Sequence, residues 1–506
     1  MRSTFMGLET NKRGLYTQQS ALYTTGHNIS NANTLGYSRQ RVNMESTTGY
    51  PGVGLNSGTM PGFLGTGVQS GSIQRIRDSF VDQQYRQESN KLGYWESHSQ
   101  AISQMEDVLN EPSHYGLQKS LSQFWQALQD LATNPNENGT RAVAVRRGEA
   151  VADSFNYMHK SLTEIQTNIG TEIEQSAEKI NSILTQIAEL NGQIKNVEPN
   201  GYVPNDLYDE RDLLLDELST FVPITVEYHD SGGRSVKGVA EGWAVVHMKL
   251  QDGSTVELVN GTKAGEVEIN PSSLVGTNKE NILVDGITVT TPDGSSKSIQ
   301  HDGLAVTGKL KSLIDAYGTA DGEGLYPDMI QKLNTMATAF ANKFNEIYSS
   351  GYPLEGNDGP ENFFDTSVPI DASTIRVSEE LINNPNAFRA SDVENEEGNG
   401  KIAQLLGDLQ FVQLEGLGEA TLENYFQGVI GDLGVEGLEA NKLLSNTIVL
   451  LGAVEQRRSS ISSVSLDEEM TDMIRFQQAY NASARMMTVI DETLEKIISG
   501  MGVVGR

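Results

Sequence analysis

Few residues in this chain have the types and spacing that chemistry requires. Gly303-Leu-Ala-Val-Thr-Gly308-Lys309 matches seven positions of a phosphate-binding loop, but Leu310 stands where a Ser or Thr hydroxyl must hold Mg²⁺. Gly52-Val-Gly54 and Gly65-Thr-Gly67 resemble the opening of a dinucleotide fingerprint, yet neither follows a predicted strand nor opens a helix. The histidines (His27, His98, His114, His159, His229, His247 and His301) offer no pair at metal-ligand spacing and no His-Glu-x-x-His run, so zinc and nucleophile–base chemistry lack an anchor. Cysteine is absent, which excludes thiol nucleophiles, thiolate metal sites, Fe–S clusters and disulfides. Asp206 with Asp209-Glu210 reads equally as acids at a helix start or as a glycosidase-type carboxylate pair, and sequence separation does not decide between them. The residues therefore predict no enzyme, no metal and no cofactor.

Charge narrows the partners. The 37 Lys+Arg against 67 Asp+Glu give 37 − 67 = −30, a field that repels polyphosphate and leaves no counterion release to drive nucleic-acid affinity. Neither nucleic acid nor an anionic membrane is an expected partner. The longest apolar run, Ile448 to Val454, is far short of the roughly 20 residues a spanning helix needs, and Met1-Arg2-Ser3-Thr4-Phe5 opens no apolar signal segment. A soluble chain with no cleaved signal is expected. The charge is uneven: residues 1–100 hold nine Lys/Arg and six Asp/Glu, net +3, so the rest carries −33.

The elements follow from periodicity. Leu8, Leu15, Leu22 and Ile29 recur every seven residues beside Phe5, Tyr16 and Tyr23, one narrow helical stripe. Met473, Tyr480, Met487 and Leu494 repeat the pattern near the other end, flanked by Phe476, Ile490 and Ile497. Asp467-Glu468-Glu469 at that helix's start suit its positive dipole end. The stripes suit pairing with each other or packing on the core. Eight glycines between Gly49 and Gly71 mark a connector. Ile173, Ile180, Ile187 and Ile194, with Ile183, Leu190 and Val197 alongside, form a coiled-coil-grade pattern that ends at Pro199-Asn200-Gly201. The period then changes to two, with short strands at 244–250, 256–259, 266–269 and 282–289. Gly232-Gly233, Asp252-Gly253, Asn260-Gly261, Asp285-Gly286 and Asp293-Gly294 are read as the turns between them. Helical pattern resumes from Leu310. The expected fold is α+β and multidomain: terminal paired helices (1–42 plus 466–506), a Gly-rich connector (43–78), a discontinuous helical body (79–220 plus 309–465), and an inserted, outward all-β domain (221–308).

The segment His27-Asn28-Ile29-Ser30-Asn31-Ala32-Asn33-Thr34-Leu35-Gly36-Tyr37-Ser38-Arg39-Gln40 closely resembles the N-terminal signature of the bacterial flagellar axial proteins, with Asn28, Asn31, Asn33, Gly36 and Tyr37 as its residues here. Its ending, Tyr-Ser-Arg-Gln, resembles the hook-associated protein 1 family of first hook–filament junction proteins. The likeness continues at Asn205-Asp206-Leu207-Tyr208-Asp209-Glu210-Arg211-Asp212, at Leu333-Asn334 to Phe344-Asn345, and from Leu466 to Leu494, and is absent from the inserted β domain. Leu35 stands where the family usually has Pro, and Ser463 where it usually has Gly. Hook-type axial proteins, the alternative, share the terminal helices but lack the Asp-Glu-Arg-Asp segment; an extracellular enzyme using the β domain is the remaining one.

The resemblance implies a structural adaptor that self-assembles into a layer between hook and filament and is needed for filament attachment and motility. It implies export through the flagellum's own type III apparatus to the distal end of the hook, outside the cell. Implied partners are further copies of itself, hook protein, a second hook–filament junction protein, and a cytoplasmic flagellar export chaperone at the Met-rich stripe Met470, Met473, Met486 and Met487. The assembly interface is expected at Leu8, Leu15, Leu22 and Ile29 with Met473, Tyr480, Met487 and Leu494, stripes that become ordered when neighbouring subunits bury them. The β domain is expected to be removable without unfolding the body.

Overall fold

A computed structural model describes residues 5–50, 65–109, 116–271, 283–353, 359–396 and 398–500. The chain runs α1 (Phe5–Ser30), β1 (Gln40–Ser46), β2 (Val68–Arg75), α2 (Ser79–Leu109), α3 (Leu117–Thr133), α4 (Asn138–Val197) and α5 (Asn205–Phe221) before its sheets. β3 (Ile224–His229), β4 (Trp243–Lys249), β5 (Thr255–Asn260) and β6 (Lys263–Ala264) form one antiparallel sheet in that order. β7 (Glu266–Pro271), β8 (Val284–Thr290) and β9 (Ser296–Gln300) form a second. Helices α6 (Lys309–Tyr317), α7 (Leu325–Ser349), α8 (Glu379–Asn383), α9 (Lys401–Asp408), α10 (Leu422–Ser462) and α11 (Leu466–Gly500) complete it.

The 60-residue helix α4 is the spine. Its Ile173, Ile180, Ile187 and Ile194 are all buried, as are Ile183 and Leu190, but among the described residues no helix of similar length lies along them. Their cover is α5, α6 and the two sheets, whose Val246, Leu258, Val267 and Ile287 join the same core. Two asparagines fasten sheet to helix. Asn181 bonds Val267 in both directions, at 2.9 Å to its carbonyl and 2.8 Å from its N–H. Asn191 does the same with Ala244, both at 2.9 Å, and also donates to the Gly261 carbonyl. The ten residues between them span about 15 Å of helix, so the sheets lie along α4 rather than projecting free of it. Removal of residues 225–305 would take away part of the cover of the spine's isoleucines, which argues against the expectation that the body survives excision.

The N-terminal half of α4 packs on α3 and α7 around an aromatic cluster. Phe344 stacks on Phe124 at 5.4 Å and meets Phe363 at 4.9 Å. Gly148 of α4 leaves room for this ring: a Cβ there would lie 2.5 Å from Phe363.

One local reading, a loop or irregular ribbon for the connector, is filled in, and another changes. The connector's described flanks form a ribbon, β1 antiparallel to β2 from Gln40↔Arg75 to Ser46↔Val68, while its centre, 51–64, lies outside the described residues. Gly71 is the extra residue at the ribbon's register shift, where a Cβ would meet the Glu45 carboxyl at 2.7 Å. Asp285-Gly286 is no turn but lies inside β8, where the Ile299 carbonyl of β9 leaves no space for a Cβ on Gly286.

The terminal helices pair with each other, antiparallel. A Cβ on Gly7 would sit 3.3 Å from Ile490, and one on Gly14 3.4 Å from Ser483. Closest approach thus falls on small residues one step before Leu8 and Leu15, and the leucine stripe flanks the seam, half-buried. The two helices thus pair within a single chain, as their matching stripes suggest, and burial by neighbouring subunits is not needed to give them a partner.

Candidate functional site: an ion-paired joint between the terminal helices and the body

The signature segment is the hinge-piece between the terminal pair and everything else. Buried Asn28, in the last turn of α1, clamps the backbone of Gln40: its Nδ2 donates to the Gln40 carbonyl at 2.8 Å, and its Oδ1 accepts from the Gln40 N–H at 3.0 Å. Tyr37 donates to the same Oδ1 at 2.8 Å. Burial, then the charges of Asp209 and Asp206, push this phenol well above its usual range, so it stays a neutral donor. Its single proton goes to Asn28, so His27 Nδ1, 2.9 Å away, must be the donor of that contact. Asn31 caps the helix end through the His27 carbonyl and receives Thr34. Asn33 is exposed, and Gly36 takes φ +79° beside Leu213, which a Cβ on the glycine would approach to 3.5 Å. Leu35, at the tip, is 84% exposed.

From this loop, bonds run to three other elements. The Ser38 N–H donates to Asp209 at 3.1 Å, Gln40 Nε2 donates to Asp206 at 3.1 Å, and Asn205 donates to Gln40 and to the Ile73 carbonyl. Arg39 donates its backbone N–H to the Ser462 carbonyl at 2.8 Å, and its guanidinium holds Glu468 and Glu469 at the start of α11.

Beneath it lies a cluster of arginines and aspartates. Arg75, at the end of β2, pairs with Asp209 at 2.7 Å, Asp212 at 2.9 Å and Glu241; Arg77 with Asp82 at 2.8 Å and Asp212 at 2.9 Å. Arg86 of α2 bridges Asp216 at 2.8 Å and Asp212 at 3.2 Å, and Arg458 of α10 closes the ring on Asp82 at 3.0 Å and Asp216 at 2.6 Å. Arg211, fully buried, reaches Glu241 at 2.9 Å and the Gly242 carbonyl at 2.7 Å. The helical spacing Asp209, Asp212, Asp216 sets three carboxylates on one face of α5. Burial by itself would raise Asp212, but Arg77, Arg75, Arg86 and Arg211 hold it well below the carboxylate range. Burial lifts Asp209 somewhat, against Arg75 and the Ser38 contacts.

Asp206 and Asp209 are engaged by Gln40, Ser38 and Arg75 within the chain. A cleft of about 630 Å³ beside them is lined by Tyr37, Arg77, Asp216, Arg458 and Ser462, and its buried carboxylate is already held by arginine. Among the described residues no group of His, Asp and Glu is arranged to hold a metal ion, and no helix is long and apolar enough to cross a membrane. The arginines escaped sequence reasoning; the one signal was the positive balance of residues 1–100 facing an acidic remainder.

The other sequence-derived residues are placed as follows. Leu8, Leu15, Leu22 and Ile29 are half-buried on α1, Met473, Tyr480 and Met487 half-buried on α11, and Leu494 buried. Met470 and Met486 are more than half exposed.

A joint whose buried Asp82, Asp209, Asp212 and Asp216 are all tied to arginines holds one part of a molecule against another, the build of a structural component. Comparison with known proteins gives the component its place. Residues 102–364 match the family model for the flagellar hook-associated protein FlgK helical domain, and residues 455–500 the flagellar basal body rod FlgEFG protein C-terminal model. Flagellar hook-associated protein 1 of Bacillus subtilis (strain 168) is 42% identical over 519 aligned positions, covering all of both chains. The Escherichia coli (strain K12) protein of that name is 24% identical over 96% of this chain and 98% of its own. The flagellar hook junction protein FlgK from Burkholderia pseudomallei shares the fold, with a TM-score of 0.57 at 13% identity over 76% of this chain and all of that one. The chain belongs to the flagellar hook-associated protein 1 family.

Proposed function

We propose that this chain is the adaptor layer that joins hook to filament, assembling from copies of itself and required for filament attachment and swimming. The full-length 42% identity to a flagellar hook-associated protein 1 carries the reading, and the joint gives it a physical basis. An adaptor between two tubes must hold its inner, assembling part at a set angle to its outer body, and the signature loop and the arginine–aspartate ring brace that angle from α1, α2, α5, α10 and α11. Leu8, Leu15, Leu22 and Ile29 on α1 and Met473, Tyr480, Met487 and Leu494 on α11 border the seam of the terminal pair, and the pair is the unit that assembly uses. The divisions 1–42 plus 466–506, 43–78, 79–220 plus 309–465 and 221–308 serve as terminal, connecting, body and sheet-bearing parts.

Hook protein below and a second junction protein above are the neighbours in this reading, with the chain secreted through the flagellar type III apparatus. An export chaperone that takes Met470, Met473, Met486 and Met487 together is best served before α1 pairs with α11, because Met473 and Met487 are half-buried in the folded chain while Met470 and Met486 are more than half exposed. The test is genetic. Cells lacking the gene should carry hooks without filaments and regain filaments with the wild-type copy; filaments that stay attached in its absence would refute the proposal.

A further inference from the structure

Helix α10 buries one face and leaves an equally regular one open. Phe426, Val429, Leu433, Gly437 and Ala440 are buried on its inner side, and a Cβ on Gly437 would meet Glu106 of α2 at 2.9 Å and Ile102 at 3.2 Å, so the inner glycine is explained by close packing. On the other side Gly428, Gly431, Val435, Leu438, Lys442, Ser445, Val449 and Gly452 recur at alternating steps of three and four. That is the spacing of a coiled-coil seam. Val435, Leu438 and Val449 are exposed, Leu438 by 74%. A Cβ on Gly428, Gly431, Gly434 or Gly452 would meet nothing within 4 Å. Glycine weakens a helix interior, and nothing among the described residues requires it at these four positions.

A second line of the same spacing lies open on α1: Phe5, Glu9, Lys12, Tyr16, Gln19 and Tyr23, with Phe5, Tyr16 and Tyr23 exposed, Tyr23 by 70%. The two faces are complementary. α1 offers large aromatic projections, and α10 offers notches where side chains are missing. Lys12 and Arg13 stand beside Tyr16, with exposed contacts to Glu9, which are weak, and Lys12 over the Tyr16 ring at 6.0 Å. Exposed Asp432, Glu436 and Glu439 stand beside the α10 line.

We propose that the outer face of α10 is a docking surface for the outer face of α1 in a second copy of this chain, the aromatic residues seating over Gly431 and Gly434. This rests on the reading of the chain as a self-assembling layer and names one contact of that layer. Because different surfaces meet, each copy keeps a free α1 face and a free α10 face, so the contact repeats from copy to copy.

The native chain has no cysteine, so introduced thiols report only on each other. Tyr23→Cys and Leu438→Cys proteins, purified separately and oxidised together at high concentration, should give a mixed disulfide dimer. Tyr23→Cys with Val143→Cys, an exposed site on α4, sets the collisional background. Gly431→Leu with Gly434→Leu in the Leu438→Cys protein fills the notches; it should cut the mixed dimer at least tenfold while thermal melting stays level or rises. No mixed dimer above background, or a Leu438→Cys protein that cross-links to itself as readily, overturns the proposal. In cells, filaments that attach normally with the glycine-filled variant also overturn it, while rescue by the wild-type copy shows the junction role independently.

Discussion

Asp212→Ala probes the joint most directly. Asp212 contacts Arg75, Arg77 and Arg86 within 3.2 Å and is 5% exposed. Removing one partner of a buried ion pair costs about 3–5 kcal/mol. Each arginine keeps another carboxylate, however: Arg75 keeps Asp209, Arg77 keeps Asp82 and Arg86 keeps Asp216. The lower end, about 3 kcal/mol, is therefore the expected loss. A chain of several domains need not unfold in one step, so the readout is amide hydrogen exchange along α5, where about 3 kcal/mol means roughly 150-fold faster opening. A change under threefold would show that the ring does not brace the joint. The pH dependence has a defined sign. Asp212 is depressed in the folded chain, so its contribution is fully present above the unfolded value of about 3.9 and is lost only as pH falls toward its lower folded value. Wild type and variant should differ by a constant amount from pH 7 to about 5 and converge only below about 4.

Asn28→Ala strands the Gln40 N–H and the Tyr37 hydroxyl, a loss of about 1–3 kcal/mol, and should speed proteolysis between 30 and 46 while leaving the α3–α4–α7 core unaffected. Met487→Asp with Leu494→Asp puts two charges beside the α1 seam, at a cost on the order of several kcal/mol. Protease should then trim both chain ends, layers should fail to form, and melting of the body should stay near that of wild type by circular dichroism. Excision of residues 225–305 behind a short linker should yield aggregated or protease-sensitive protein; a monomer with normal melting would show that the sheets are not needed to cover α4.

Much of the architecture can be read from periodicity, because heptads and turn dipeptides are local signals. The two terminal stripes, the isoleucine lines of α4 and the glycines at 232–233, 253, 261 and 294, all at positive φ, lie where the pattern puts them. What failed needed knowledge of a partner. The isoleucines of α4 read as a coiled coil because a helix face records that it is buried, not whether a helix or a sheet buries it. Gly286 read as a turn because a missing side chain looks the same whether φ or a crossing strand demands it. β9, Ser-Lys-Ser-Ile-Gln, buries only Ile299 and has no alternation to detect. The joint is the extreme case. Arg86 and Asp216 are 130 positions apart, and Arg458 and Asp216 are 242 apart, so nothing near either residue announces the pair.

The bond from Arg39 to Ser462 and the ion pairs from Arg39 to Glu468 and Glu469 bear on the order in which the molecule can be made. The Arg39–Glu469 pair spans 430 residues, and closing so long a loop in a featureless chain costs on the order of 5 kcal/mol. The body relieves most of that, because once α2, α5 and α10 are together the two ends already emerge side by side. Terminal pairing is thus the last event of folding, waiting on both chain ends and on a finished interior. Until then α1 and α11 travel as separate, unmatched segments, available to whatever meets them first.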